Sequence, residues 1–419
     1  MPSNYICALD IGSSKIAAVV AEIKRKHIAN IFFETVPIKA IKRGVIVDSI
    51  NLISSISRVL KNLKVKSGIN IKFIHINISG FDIVTKHSRA IIPLTERGNK
   101  VITISDIEKV NEQARILGSN LEEEIIHQIP IAYTIDSNDN VSSPIGLYGH
   151  RLEVDLYLIC GKLSFILSLT RAVNQAGYEI KDLFFSGIAT SRAILNKEFK
   201  EGINILCDIG SDITELLVFK DGILRNIEVI PLGGDDLTDK LADALKIPFD
   251  LAENIKRSYA SVGGHGQAKE DSEILVKKDN IYKPIKQKLI SDIVSSKTKL
   301  ICESIKDAVE KNASCSQVIN FVAAGRTILL EGFLETLENS LGISVKLGRI
   351  AHSDIASLVN KDSALLSGQK HLAYLTSLGL ICQALHDREP TQFLSPHTSS
   401  RNPLLRLINK IKEIYKEYF

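Results

Sequence analysis

The chain has 419 residues, of which 45% are hydrophobic and 24% charged, with a formal net charge of +4 at pH 7. That length allows two or more domains with real cores, and so small a charge excess argues against a dedicated nucleic-acid binder. The six cysteines form no Cys-x-x-Cys pair and the ten histidines no His-Glu-x-x-His, which argues against zinc and fits buried thiols in a reducing cytosol.

Met1 leads almost directly into an apolar run, without the basic–apolar–small order of a signal peptide. No apolar stretch reaches the ~20 residues of a transmembrane helix, so a cytoplasmic chain is expected. The first predicted elements are a strand over Tyr5–Leu9, a tight polar turn Asp10-Ile11-Gly12-Ser13-Ser14-Lys15 and a strand over Ile16–Val20. A helix near Leu52–Asn62 and a strand over Phe73–Ile78 follow.

Residues 83–162 have a character of their own. Ser105 with Glu108 reads as a capping box opening a helix over Asp106–Leu117. Asp136–Asn140 is turn-rich, and Val154–Cys160 reads as a strand before a helix over Ser164–Ala176. A small α/β subdomain inserted into the first domain is expected here.

From about Glu201 the opening pattern recurs: strand Ile203–Cys207, turn Asp208-Ile209-Gly210-Ser211-Asp212, strand Leu216–Phe219. Pro231–Asp236 then carries Gly233 and Gly234, before a helix over Leu237–Leu245 that Pro248 breaks and a second over Phe249–Tyr259. Gly263-Gly264-His265-Gly266 reads as a flexible turn, and the lysines 277, 278, 283, 286, 288, 297 and 299 as a solvated face. A strand over Val318–Ala323 ends in Ala324-Gly325-Arg326, a third turn suited to close approach, and a helix is expected over Leu329–Leu337.

Residues 388–402, rich in Pro, Ser and Thr, read as a flexible linker. Beyond it Asn402-Pro403 supplies an N-cap and a first helical residue. At about 100° per residue, Leu404, Leu405, Leu407, Ile408, Ile411, Ile414, Tyr415, Tyr418 and Phe419 share one half of the wheel. Charged and polar side chains fill the other half, with only Lys412 at the apolar edge. This is the pattern of a helix lying in a membrane interface; the competing reading is a helix packed on the protein's own core.

The duplicated turn carries the functional argument. A glycine lets backbone approach a ligand closely, and successive N–H groups with serine hydroxyls can wrap an anion. Asp10 and Asp208, each ending a strand, are placed to hold a hydrated Mg²⁺. A single Asp-x-Gly is usually an ordinary turn, but two copies 198 residues apart suggest similar domains clamping the phosphates of one nucleotide. No Gly-x-Gly-x-x-Gly and no Gly-x-x-x-x-Gly-Lys-Ser/Thr follows a strand.

With hairpin, insertion, second hairpin and late glycine turn in this order, the chain resembles the actin-like ATPases and, among them, the FtsA cell-division family. The resemblance runs from Asp10 to about Leu380 and returns at the tail. Gly12, Ser13, Ser14 and Lys15 look like the family's first phosphate motif, and Asp208-Ile209-Gly210 with Ser211 like its second. Ala324-Gly325-Arg326, followed by Glu331-Gly332-Phe333, looks like its adenosine motif, and Ser186–Ser191 like its connecting segment. The resemblance also implies nucleotide contacts from Gly233, Gly234, Glu253 and Lys256. Pro144-Ile145-Gly146, Gly149 and Arg151-Leu152-Glu153 resemble the subdomain that separates this family from actin and the sugar kinases.

The chain departs from the family's further glycine and threonine where Ser211-Asp212-Ile213-Thr214-Glu215 intervenes, with Ile213 where a hydroxyl is expected, and where Arg326 takes the place of a second glycine. Asp212 brings a negative charge toward the expected polyphosphate, and Arg326 is a candidate for stacking on adenine or for a phosphate contact.

What the resemblance implies is an α/β, two-domain actin-like (ribonuclease-H-like) fold with an FtsA-type insertion and a C-terminal amphipathic helix. Residues 1–82, 163–194 and about 357–387 would form the first domain, 83–162 the insertion, and 195–356 the second domain, with an outer subdomain over about 227–299. The implied protein binds ATP and Mg²⁺, is at most a slow ATPase, polymerises, and tethers the FtsZ ring to the cytoplasmic face of the inner membrane at the septum. The FtsZ C-terminal peptide would meet Lys297, in Ser296-Lys297-Thr298 where the family has Pro-Arg-Tyr, and other divisome proteins would meet residues 83–162. The alternatives are a pilus-assembly ATPase and a phosphotransferase of the same fold.

Overall fold

Neither Ile6–Leu9 nor Ile16–Val20 alternates between apolar and polar residues, and the structure supplies the reason: both strands are covered on both faces. In this computed structural model the described residues are 5–24, 27–95, 98–136, 138–195, 199, 201–263, 272–278, 281–361 and 367–386. The chain begins with β1 (Tyr5–Ile11), β2 (Lys15–Lys24) and β3 (His27–Pro37). A two-residue-arm hairpin, β4 (Ile41–Lys42) and β5 (Val45–Ile46), precedes α1 (Ser49–Ser67) and β6 (Phe73–Ile78).

Side chains alternate across β1. Cys7, Leu9 and Ile11 meet the apolar stripe Leu52, Ile56, Val59, Leu60 and Leu63 of α1, while Ile6 and Ala8 turn to the opposite core. The helix is longer than Leu52–Asn62: the Asp48 carboxylate accepts the Asn51 N–H at its start, and Gly68, left-handed, ends it.

The insertion follows as β7 (Ile83–Pro93), β8 (Lys100–Val101), α2 (Ile104–Leu117), β9 (Glu123–Ile135), β10 (Asn138–Val141), β11 (Tyr148–Gly149) and β12 (Arg151–Lys162). Its antiparallel sheet has the order β10-β9-β12-β7, with β8 and β11 paired separately. Helix α2 covers one face through Val110 and Ala114 against Leu152, Val154, Leu156 and Leu158. Two expectations are corrected here. The cap is Thr103 with Asp106, not Ser105 with Glu108, because the Asp106 carboxylate takes the Thr103 N–H and hydroxyl and is itself held by Lys100 at 2.8 Å. The turn-rich Asp136–Asn140 includes the start of edge strand β10, paired to β9.

The chain returns through α3 (Leu163–Gln175), β13 (Glu179–Phe185) and α4 (Ser186–Ile194). It then repeats the opening with β14 (Ile203–Ile209), β15 (Thr214–Lys220) and β16 (Ile223–Ile230). Next come α5 (Gly234–Leu245), α6 (Phe249–Tyr259), β17 (Glu273–Lys278), β18 (Ile281–Lys286) and α7 (Gln287–Glu310). Last are β19 (Val318–Ala324), α8 (Phe333–Leu341), β20 (Val345–Leu347), α9 (Ser353–Lys361) and α10 (Leu375–His386). Helix α5 starts earlier than expected, at Gly234, because Asp236 reaches back to the Gly233 N–H. The helix expected over Leu329–Leu337 is instead a 3₁₀ turn at Thr327–Leu329 and then α8; Leu330 is extended and Gly332 left-handed between them.

Two five-stranded sheets result, β13-β6-β1-β2-β3 and β16-β15-β14-β19-β20. Each has a central strand antiparallel to its hairpin partner on one side and parallel to its neighbour on the other. One core joins them, built from α4, α10 and the facing sides of both sheets. The predicted linker and amphipathic helix, residues 388–419, lie outside the described residues.

Candidate functional site

Both hairpin turns close in the same way: Gly12 N–H donates to the Lys15 carbonyl at 3.0 Å, and Gly210 N–H to the Ile213 carbonyl at 2.9 Å. Because β1 and β14 are the central strands of corresponding sheets, the two turns come together at one cavity of about 1360 Å³. Asp10, Gly12, Ser13, Ser14, Lys15, Asp208, Gly210, Ser211, Gly234, Glu253, Lys256, Gly325 and Arg326 all line it. Gly233 sits behind them, so close to Ser211 that a Cβ would come within 2.4 Å of the Ser211 carbonyl oxygen.

Around the first turn, Lys15 pairs with Asp10 at 3.1 Å and donates to the Ala373 carbonyl. Asn77 of β6 donates to Asp10 at 2.8 Å and to Ser186 at 2.9 Å, and accepts the Ile11 N–H at 2.7 Å. In the second turn Ile213 stands in the place that Lys15 holds in the first. Enclosure pushes the Asp208 carboxyl up to about 6, with repulsion from Asp10 adding to it and Lys15 and a bond from Thr190 opposing it. Glu215 on β15 is pushed further, to about 8, by burial and by Asp208 and Asp10, against a bond from Ser79 at 2.5 Å.

The third turn seats the other two. Gly325, at φ +87°, passes so close to β14 that a Cβ would lie 2.2 Å from the Ile209 carbonyl oxygen and 2.7 Å from Asp208 Oδ1. Beside it Thr327 donates to the Gly210 carbonyl at 2.7 Å. Arg326 reaches over to Ser14 Oγ at 3.2 Å, and its pKa is lowered by burial and by Arg257. Lys256 bridges the Gly234 carbonyl at 2.7 Å and Glu253 at 2.6 Å. Burial opposes the charge on Glu253, but Lys256, Thr238 and Arg257 outweigh it and hold that carboxyl below its usual range. Asp235 is pushed up to about 6 by burial and by Asp212.

Lys297 lies apart from this cavity, on α7, a quarter exposed and 4.0 Å from Asp236 of α5. Sequence reasoning passed over Arg43, Asn77, Ser79 and Thr327, and gave Thr190 and Glu215 no role of their own. The only local signal was a polar residue inside an apolar strand, as at Asn77 and Glu215.

Paired sheets with hairpins meeting at an interdomain cavity define the actin-like ATPase fold. The solved PilM–PilN type IV pilus biogenesis complex shares it at a TM-score of 0.63 with 15% identity, covering 92% of this chain and 99% of that one. MreB5 of Spiroplasma citri bound to ADP does so at 0.50 with 10% identity, covering 91% and 99%. In sequence, the family described as cell division protein FtsA matches residues 205–379, and the SHS2 domain inserted in FtsA matches 80–160. The cell division protein FtsA of Borreliella burgdorferi is 26% identical over the whole of both chains. That of Bacillus subtilis is 26% identical over 89% of this chain and 82% of its own. This chain belongs to the FtsA family of cell-division proteins.

Proposed function

We propose that the cleft binds ATP with Mg²⁺, and that the protein polymerises and tethers the FtsZ ring to the cytoplasmic face of the inner membrane at the septum. The observation that carries the nucleotide reading is the meeting of two identically closed Asp-x-Gly turns and the Gly325 turn at one cavity.

The donor set fits a hydrated cation. Burial, with repulsion from Asp10 adding to it, holds Asp208 up at about 6, and a divalent ion near both carboxylates would favour its charged form. On this reading Asp10 and Asp208 would hold the ion through water; among the described residues no three His, Cys, Asp or Glu side chains are grouped to ligate a metal directly. Bound Mg²⁺ would supply charge neutralisation of the phosphates. Nucleotide acts on this reading as a conformational ligand that favours one cleft geometry, with hydrolysis at most slow.

The FtsZ peptide is assigned to α7 at Lys297, a quarter exposed; Lys288 and Lys299 are exposed on the opposite flank of the same helix. The inserted subdomain is assigned to divisome contacts and self-assembly. Membrane attachment rests on residues 403–419; among the described residues no helix is long and apolar enough to cross a membrane. The match of residues 80–160 to the FtsA insertion favours this reading over a phosphotransferase.

Titration with a fluorescent ATP analogue tests the cleft. Gly12→Val and Asp208→Ala are each expected to weaken binding about tenfold or more. Unchanged affinity in both would reject the assignment.

A further inference from the structure

The two hairpins can be aligned residue by residue on their shared turn bond, which sets Ser14 opposite Asp212 and Lys15 opposite Ile213. At each of these tips a donor arrives from the other half of the molecule. Arg326, beyond β19, gives its guanidinium to Ser14 at 3.2 Å, and Arg43, between β4 and β5, gives its backbone N–H to Asp212 Oδ2 at 2.8 Å. The contacts are reciprocal in place but not in chemistry. One ends on a neutral hydroxyl, the other on a carboxylate that is 8% exposed and lines the cavity.

The donor is firmly mounted. Arg43 and Gly44 are both left-handed, at φ +51° and +82°, at the tip of the hairpin whose Arg43 N–H meets Asp212. Gly44 lies against Gly80 so tightly that a Cβ on it would fall 2.5 Å from the Gly80 Cα. Next to Gly80, Ser79 donates to Glu215. One packed corner of the first half thus holds two carboxylates of the second half, three residues apart on the same hairpin. A backbone N–H held beside the cavity-lining Asp212 is also the kind of group that would meet an incoming phosphate oxygen.

We propose that Asp212 is a resident anion: it latches the two halves of the cleft together without nucleotide and makes the site favour a nucleoside diphosphate over a triphosphate. The preference rests on the nucleotide reading above; the latch does not. A triphosphate brings one more phosphoryl group and more negative charge into a cavity where a buried carboxylate already occupies a backbone donor, and Asp212 already bears on Asp235. Selectivity here comes from a repulsive element, which costs the triphosphate more than the diphosphate.

The test uses the full chain with Asp212→Gly and Asp212→Asn, the latter keeping a neutral acceptor of the same shape in case the glycine variant fails to fold. Hydrogen exchange at the Arg43 amide without nucleotide should show protection in the parent, about tenfold less in Asp212→Gly and an intermediate value in Asp212→Asn. Calorimetric titration with Mg²⁺ and either ADP or a non-hydrolysable ATP analogue should show the diphosphate preference falling about tenfold in both variants. An unprotected Arg43 amide in the parent would overturn the latch. An unchanged ratio of the two affinities in both variants would overturn the preference. If no form binds either nucleotide, the cleft reading and the preference fall together, and the exchange result alone decides the latch.

Discussion

In the first hairpin Asp10 is met by the Lys15 ammonium and by Asn77, which passes the connection on to Ser186 and the Ile11 N–H. In the second, Asp208 has Thr190 and the close-packed backbone of Gly325, with Ile213 standing where Lys15 stands. Both turns close with the same backbone bond, so the difference lies in how deeply each carboxylate is enclosed and in what the side chains neutralise. One half carries its own counter-charge, and the other leaves two carboxyls, Asp208 and Glu215, raised by burial and in want of a cation or a proton. Duplication of a turn thus need not duplicate its electrostatics, and the unbalanced copy is where an added cation has most to gain.

The severest break in the comparison is Gly325→Ala. It forces a left-handed side chain into the Ile209 carbonyl and the Asp208 carboxylate, and should cost roughly 2–4 kcal/mol, read as a lower denaturation midpoint. A change under about 0.5 kcal/mol would mean the turn can move off β14 freely.

Exchanging the cation comes next. Lys15→Met should cost about 2–3 kcal/mol, because Asp10 stays largely buried without its ion pair and the Ala373 carbonyl loses a donor. Ile213→Lys should do the reverse on the other side, bringing the Asp208 carboxyl down from about 6 toward its ordinary range, visible by carboxyl ¹³C NMR. An unmoved Asp208 would show that the two turns differ by enclosure alone.

The smallest effect at neutral pH belongs to a site away from both turns. His127 of β9 accepts the Phe185 N–H at 2.9 Å, and burial, with Arg192 adding, holds its pKa down to about 3. The unfolded chain takes up this proton near 6.5 and the folded one only near 3. Its contribution is therefore whole above pH 6.5 and is lost as pH falls through that window. His127→Gln retains an acceptor and should flatten the fall in stability between pH 6 and pH 4 relative to the parent, by on the order of 1 kcal/mol. A variant as acid-sensitive as the parent would place the sensitivity elsewhere.

Much of the frame was readable because it rests on short-range patterns. Phe73–Ile78 and Phe249–Tyr259 have the bounds that apolar runs and Pro248 set for them, and both hairpins follow from paired runs around Asp-x-Gly. Local pattern could not choose between Thr103–Asp106 and Ser105–Glu108, since both have the capping-box spacing; Lys100, arriving from β8, stabilises the first. Nor could it show that Gly332 breaks a helix rather than sits in one. The unforeseen cleft residues share one cause. Asn77, Glu215 and Arg43 act on partners 66, 136 and 169 positions away, separations at which no spacing rule operates.

Lys15 has a second attachment whose reach extends past chemistry. Its bond to the Ala373 carbonyl ties the first turn to the chain just ahead of α10. That helix is fastened further by Thr376 on Thr190, Ser377 on the Ala17 carbonyl, and Gly379 pressed to the Ala189 backbone. The first turn, β2 and α4 are thus tied to this helix and the chain ahead of it at four points, so a displacement of one would be felt by the others. A ligand that draws Lys15 away from Ala373 would loosen one of these ties.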